Sequence, residues 1–172
     1  MTAPAIDPIV LRIMRAYADI LGQISQASGF YNNVAGSGVE PLTFDDGDSY
    51  PQIVVELESS QISDSKAPAS YQDSIVIAAR GFVPVQTGSG YATALTLLDD
   101  MTRVTRSITR KTFQLGDMPA TGYENSNPSL VTKWDIGQHR EIVPSDVAQG
   151  FLEVIVRAAC EYRDFSAPMP GV

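Results

Sequence analysis

One histidine and one cysteine narrow the chemistry open to this chain. A zinc site built on several His and Cys ligands cannot be assembled from His139 and Cys160. A Ser-His-Asp relay would need His139 beside a presented serine, and no G-x-S-x-G elbow occurs. Cys160, beside Ala159 in an apolar stretch, lacks the electropositive setting that makes a thiolate, and a single cysteine excludes an internal disulfide framework, so the thiol reads as packing in a reducing compartment. Gly88-Ser89-Gly90 falls between an expected strand and an expected helix, where a phosphate loop would sit. Position 93 is Thr rather than the third glycine, no P-loop lysine follows, and no acid ends a second parallel strand, so a turn is the better reading. Asp45-Asp46-Gly47-Asp48 offers carboxylates to a divalent cation. Counted from Asp46, however, the EF-hand pattern meets Asp48 at its third position, Tyr50 at its fifth and glycine at its second instead of its sixth. Asp-Gly is also ordinary tight-turn chemistry. No cofactor, no metal and no enzyme activity are expected.

Charge is more informative than any of these groups. The net charge is −8, and residues 16–65 hold eight acids (Asp19, Glu40, Asp45, Asp46, Asp48, Glu56, Glu58, Asp64) with no Lys or Arg. An acidic lobe on a neutral body disfavours static nucleic-acid binding and suits a surface past which a polyanion slides, although solubility alone would explain it. At the other extreme, Arg103, Arg106, Arg110 and Lys111 place four of the twelve bases within nine residues. That face can be solvated, can meet protein or can offer a small nucleic-acid footprint; Asp99 and Asp100, one turn earlier, point to ordinary helix pairing. Of the two binding readings, charge balance against the acidic lobe favours protein contact.

The elements that would carry these groups follow from periodicity. With 44% apolar residues, 172 residues suffice for one core and are short for two domains. Asp7-Pro8 is a helix-start signal, and Ile9, Val10, Ile13, Met14, Tyr17, Ile20, Leu21 and Ile24 form a wide apolar stripe with Arg12, Arg15 and Asp19 opposite. Two arginines make too weak a basic face for a membrane-surface helix. Short β-prone pieces follow at Phe30–Val34 and Val39–Phe44, separated by Ala35-Gly36-Ser37-Gly38. The acidic turn then leads into a strand at Ile53–Glu58. Residues 59–73 read as a polar loop, and Ser74–Val85 as a strand kinked near Gly81 and Pro84. A second helix is expected at about Tyr91–Ile108, burying Leu95, Leu98, Met101, Val104 (or Thr105) and Ile108. Residues 112–149, with the only Trp, read as an arm or extended hairpin in which Leu130, Thr132, Trp134 and Ile136 alternate and Gly137 turns the chain toward Arg140–Val143. Phe151–Tyr162 closes as a strand with Leu152, Val154, Val156, Ala158 and Cys160 on one side. No basic leader or run of roughly 18 apolar residues appears, so a soluble product, cytoplasmic when made, is expected. The fold class is α+β: an antiparallel or mixed sheet with two amphipathic helices on one face, plus the arm at 112–149, in a single domain spanning 1–172.

This arrangement resembles the tail terminator proteins of long-tailed bacteriophages. The likeness runs through PIVLRIMRAYADILGQI, a hairpin leading into SYPQIVVELE, SIVIAARGFVPV, YATALTLLDDMTRVTRSI and FLEVIVRAACEYRDF. It is carried most by Pro51-x-Ile53-Val54-Val55 after the acidic turn and by the ending Glu161-Tyr162-Arg163-Asp164. The resemblance implies a virion subunit that forms a homo-oligomeric ring, a hexamer, at the head-proximal end of the tail. Such a ring stops tube polymerisation and contacts the tail tube protein and a neck or head-completion protein, while DNA passes through its bore. Host cytoplasm during assembly and the virion afterwards are the implied locations, with no membrane partner. On this reading Asp45, Asp46 and Asp48 line the bore or its rim, and Arg103, Arg106, Arg110 and Lys111 meet a neighbouring subunit. The alternatives are a neck or head-completion subunit, a tail tube subunit and, from another class, a small-molecule binding domain using the Gly88 loop.

Overall fold

A computed structural model of the chain describes residues 9–44, 48–61, 71–85, 88–109, 113 and 131–164. The first helix, α1 (Ile9–Leu21), buries Ile13, Met14, Tyr17, Ala18 and Leu21 and half-buries Ile9, Val10 and Ile20, so the stripe predicted from spacings of three and four is its inner face. Its helix-start signal, Asp7-Pro8, lies outside the described residues. The helix stops at Leu21, and Ile24 is buried beyond its end, ahead of a single 3-10 turn at Gln26–Ser28.

Neither of the two β-prone pieces after Gly29 becomes a strand. The first strand, β1 (Gly36–Gly38), forms on the glycine-rich separator between them. It runs parallel to β2 (Gln52–Gln61), with Gly36, Ser37 and Gly38 opposite Gln52, Ile53 and Val54, so the chain enters β2 by a parallel pairing and not by a hairpin. Small residues permit this because backbone groups alone supply the pairing. β2 and β3 (Tyr71–Pro84) are antiparallel and longer than their alternation indicated. They absorb residues 59–61 and 71–73 of the expected loop, whose remainder lies outside the described residues.

The expected arm is not separate where it is described. Val131–Pro144 is one long strand, β4, antiparallel to β5 (Phe151–Asp164), and the sheet order is β1-β2-β3-β5-β4. Gly137 does not turn the chain. It sits in an irregularity between Ile136 and Arg140 where β4 passes close over β5, and a Cβ there would lie 2.9 Å from both Cβ and O of Arg157. Trp134 faces the helices. Its ring packs edge-on to Tyr17 at 5.1 Å and against Phe113 at 5.0 Å, and its Nε1–H donates to the Thr105 carbonyl at 3.1 Å.

Both helices lie on one face of the sheet, over Ile53, Val55, Ile75, Ile77, Ala79, Val83, Val154, Val156 and Cys160. The second helix, α2 (Gly90–Ser107), is seated at Gly81: a Cβ there would stand 2.7 Å from Leu97 Cδ2 and 3.1 Å from Met101 Sδ. Gly81 therefore serves close approach and not a kink, since β3 keeps an unbroken register with β5 from Tyr71 to Pro84. The buried stripe of α2 is Ala94, Leu97, Met101, Val104 and Thr105, continued by Ile108. It is displaced by one residue in its first half from the expected Leu95 and Leu98: Leu97 is 0% exposed, Leu95 47%, and Leu98 is half-buried. Tyr17 joins the two helices through a 2.7 Å hydroxyl pair with Thr105, whose own proton is directed to the Met101 carbonyl at 2.7 Å. Burial raises the Tyr17 pKa, partly offset by that hydrogen bond.

Leu97→Asp and Val154→Asp should each destabilise the fold by about 4 kcal/mol or more, roughly 10 °C in melting temperature for a chain this size, because each leaves a carboxylate unpaired in the core. Leu95→Asp should stay within about 0.5 kcal/mol of the parent. Circular dichroism melts check the set, and a silent Leu97→Asp would refute the assigned stripe.

Candidate functional site

The sheet face away from the helices holds the densest charge among the described residues. Alternation puts Val54, Glu56, Ala78, Arg80, Phe82, Glu153, Ile155 and Arg157 on this face, and Glu141 joins them from β4. Arg80 Nε meets Glu56 Oε2 at 2.8 Å, its Nη1 meets Glu153 Oε2 at 3.0 Å, and its Nη2 stands 4.0 Å from Glu58. Arg157 Nε donates to Glu58 Oε1 and Oε2, both at 2.9 Å, and its Nη1 to Glu141 at 2.7 Å. The pairing of β2 with β3 shifts between Leu57 and Ser59, leaving Glu58 as the bulged residue that reaches Arg157. Four carboxylates thus hold two guanidiniums in a lattice across β2, β3, β5 and β4. Beneath it Val54, Ala78 and Ile155 are buried although no helix covers them, because the long side chains lie over them.

The lattice is anchored at its most enclosed carboxylate. Glu153 is buried and takes the Ser145 hydroxyl at 2.7 Å on Oε1 while Arg80 holds Oε2. Ser145 Oγ in turn accepts the amides of Val147 and Ala148, at 3.2 and 3.1 Å, and so ties the β4–β5 connection to the lattice. Burial works against the Arg80 charge, but Glu153 and Glu56 more than compensate and its pKa is raised. That of Arg157 is raised by its hydrogen bond to Glu141 and by Glu58. At the end of this face where β2 begins, Phe44, Tyr50, Phe82 and Phe151 form an aromatic cluster with centroid separations of 4.8–6.5 Å. At the other end a shallow groove of about 170 Å³ is lined by Ser59, Gln61, Ser74, Lys133, Asp135 and Glu161 over Val76 and Ala159.

The groups singled out in the sequence are distributed differently. Asp48 is exposed ahead of β2; Asp45 and Asp46 lie outside the described residues. Arg106 is exposed, while Arg110 and Lys111 also lie outside the described residues. Arg103 is half-exposed but engaged within its own chain, with its guanidinium 5.1 Å from the Phe30 ring centroid, 3.9 Å from Asp100 and 3.4 Å from the Gly29 carbonyl. Asp100 is more than an i,i+3 partner. It is 0% exposed and accepts the amides of Tyr31 and Asn32 and the Asn32 side-chain amide, all at 2.9–3.1 Å, which moors the segment after α1 to α2. His139 is exposed on β4, and Gly88 adopts φ +105° in the turn before α2. Burial, with a smaller effect of Glu161, pushes the Cys160 thiol up to about 12. Among the described residues no cluster of His, Cys, Asp or Glu could hold a metal ion, and no helix is long and apolar enough to cross a membrane.

The sequence reading missed Arg80 and Arg157. A signal was present: Glu56 and Glu58, Arg80, and Glu153 and Arg157 all occupy alternate positions of predicted strands on the side opposite the apolar stripe, where charges of opposite sign pair across strands. Two carboxylates of the acidic stretch, Glu56 and Glu58, are therefore compensated inside the subunit, so the lobe is less bare than its formal charge. No protein-family model matches the chain, and no curated protein matches it in sequence.

Asp100→Ala should cost about 2 to 4 kcal/mol, since it strands buried donors, and should accelerate hydrogen exchange at the Tyr31 and Asn32 amides. Arg103→Gln should cost less than about 1 kcal/mol. Amide exchange by NMR separates the two; equal protection of residues 31 and 32 in Asp100→Ala would remove the mooring role.

Proposed function

We propose that the chain is a structural subunit of a phage tail, forming a ring that caps the head-proximal end of the tail tube and joins it to the neck. The observation that carries this reading is the partition of the molecule: helices sheathe one face of the sheet, and the other presents a braced surface with more carboxylate than guanidinium. Both arginines of that surface are clamped by carboxylates, so passing phosphates find few cations to hold them. Asp48, exposed at the end where β2 begins, adds charge of the same sign. The order helix, strands, helix, strands supports the reading as well, because it is the order on which the resemblance to tail terminators rests. In this ring the partners are further copies, the tail tube protein and a neck protein, with DNA in transit.

Purified protein should form rings by mass photometry and should cap one end of isolated tail tubes in negative-stain images. A monomer that leaves tube ends bare would sink the proposal. Within assembled rings, Asp45→Lys with Asp46→Lys and Asp48→Lys should leave folding intact and slow DNA ejection at low salt, the effect fading near 1 M salt, where screening shortens to about 3 Å. Ejection at the parental rate at low salt would reduce the acidic turn to a solubilising role.

A further inference from the structure

Six large apolar residues are exposed among the described residues, and four of them gather at one end of the molecule. Val85 follows the last residue of β3 and donates its amide to the Gly150 carbonyl at 2.7 Å, beside the β4–β5 connection that carries Val147, which is 73% exposed. Gly90 packs against Pro84 and Val85, placing the first turns of α2 here too, and these present Tyr91, 63% exposed, with Leu95 one turn on. Tyr91 and Leu95, four positions apart on a helix, share a face.

The opposite end of the sheet is where β5 finishes. Pro84 pairs with Phe151 at the apolar end and Tyr71 with Asp164 at the far end. A strand of 14 residues separates the two ends by roughly 40 Å. Beyond Asp164 the sequence reads Phe165-Ser-Ala-Pro-Met169-Pro-Gly-Val172, with no charged residue. Phe165 and Met169 lie within five residues of Asp164, at most about 18 Å of extended chain. They cannot reach the apolar end of their own subunit. They can reach that of another copy placed end to end.

We propose that copies associate head to tail, with residues 165–172 of one subunit seated on the Val85, Tyr91, Leu95 and Val147 surface of the next. Charge points to a second copy meeting there: two molecules of net charge −8 repel through most of their surfaces, whereas residues 165–172 bring no charged side chain against the exposed Asp146 and Asp99 that rim the patch. Pro168 and Pro170 reduce the chain entropy lost on docking. Such a contact uses different surfaces on the two partners, and contacts of this kind close into rings when the rotation permits. The inference rests on the ring proposed above and names what would link its members.

The test uses complementary defects in the full chain. Phe165→Asp with Met169→Asp disables the segment; Tyr91→Asp with Leu95→Asp disables the patch. Aspartate suits the first turns of a helix, and the Ser counterparts of both pairs serve if a melting curve shows either Asp variant unfolded. By mass photometry each variant alone should be monomeric where the parent forms rings. An equimolar mixture should yield particles of two chains and nothing larger, because one sound half of each contact remains. Rings that persist in either folded variant, or a mixture that stays monomeric, overturn this contact and leave the ring reading standing. A parent that is monomeric at every concentration and leaves tail tubes uncapped overturns both.

Discussion

The approach of α2 to β3 at Gly81 sets the spacing of the helix layer. With no side chain at that position, Leu97 and Met101 settle onto the strand itself, and everything attached to α2 takes its place from that depth. Thr105 comes within reach of the Tyr17 hydroxyl and the Trp134 indole, which fastens α1 and β4 to the same helix. Asp100 comes into position to hold the backbone after α1, and that backbone leads to the short parallel strand at the sheet edge. A methyl group at residue 81 would overlap Leu97 Cδ2, and the fully buried Leu97 and Met101 side chains would have to repack to admit it.

The two faces of the sheet solve the burial problem by different means. Under the helices, apolar side chains interdigitate with apolar side chains. On the other face, glutamates and arginines lie across Val54, Ala78 and Ile155 and exclude water from them while keeping their own charges partly wet. The exposed ion pairs of this lattice are individually weak, whereas the pairing of Arg80 with buried Glu153 matters for stability, because losing either partner would leave the other charge uncompensated. Each guanidinium is held by carboxylates from more than one strand, so the side chains are fixed in place.

Much of this architecture was legible in the sequence, and the exceptions have physical causes. The α1 stripe and the alternation of Phe151–Tyr162 are strong because nearly every inward position is apolar. The α2 stripe that hydropathy predicts lies one residue off in its first half because Leu95 and Leu98 outweigh Ala94 in hydrophobicity, while three polar residues, Asp100, Thr102 and Thr105, are buried by hydrogen bonds that no hydropathy pattern displays. Gly36–Gly38 carries no side-chain signal for a strand, since its partner supplies only backbone. Gly137 was read as a turn because glycine serves turns and close approaches alike, and only the neighbouring Arg157 backbone distinguishes them. On the charged face, the acids stand out in the sequence as a stretch of net charge and the arginines fall in a neutral body; their pairing depends on β2, β3 and β5 being adjacent, a long-range fact.

The edges of the sheet carry a further consequence. At one edge β1 covers β2 only along Gln52–Val54, and beyond it β2 carries exposed Glu56 and the bulged Glu58; the other edge, β4, is long but broken by the irregularity between Ile136 and Arg140, with Lys133, Asp135, His139, Arg140 and Glu141 all exposed along it. Broken spacing and charge on an outer strand frustrate the addition of a further strand. At high concentration the chain is thereby protected from a common route to fibrous aggregation, growth by strand upon strand, without any cost to the faces of the sheet.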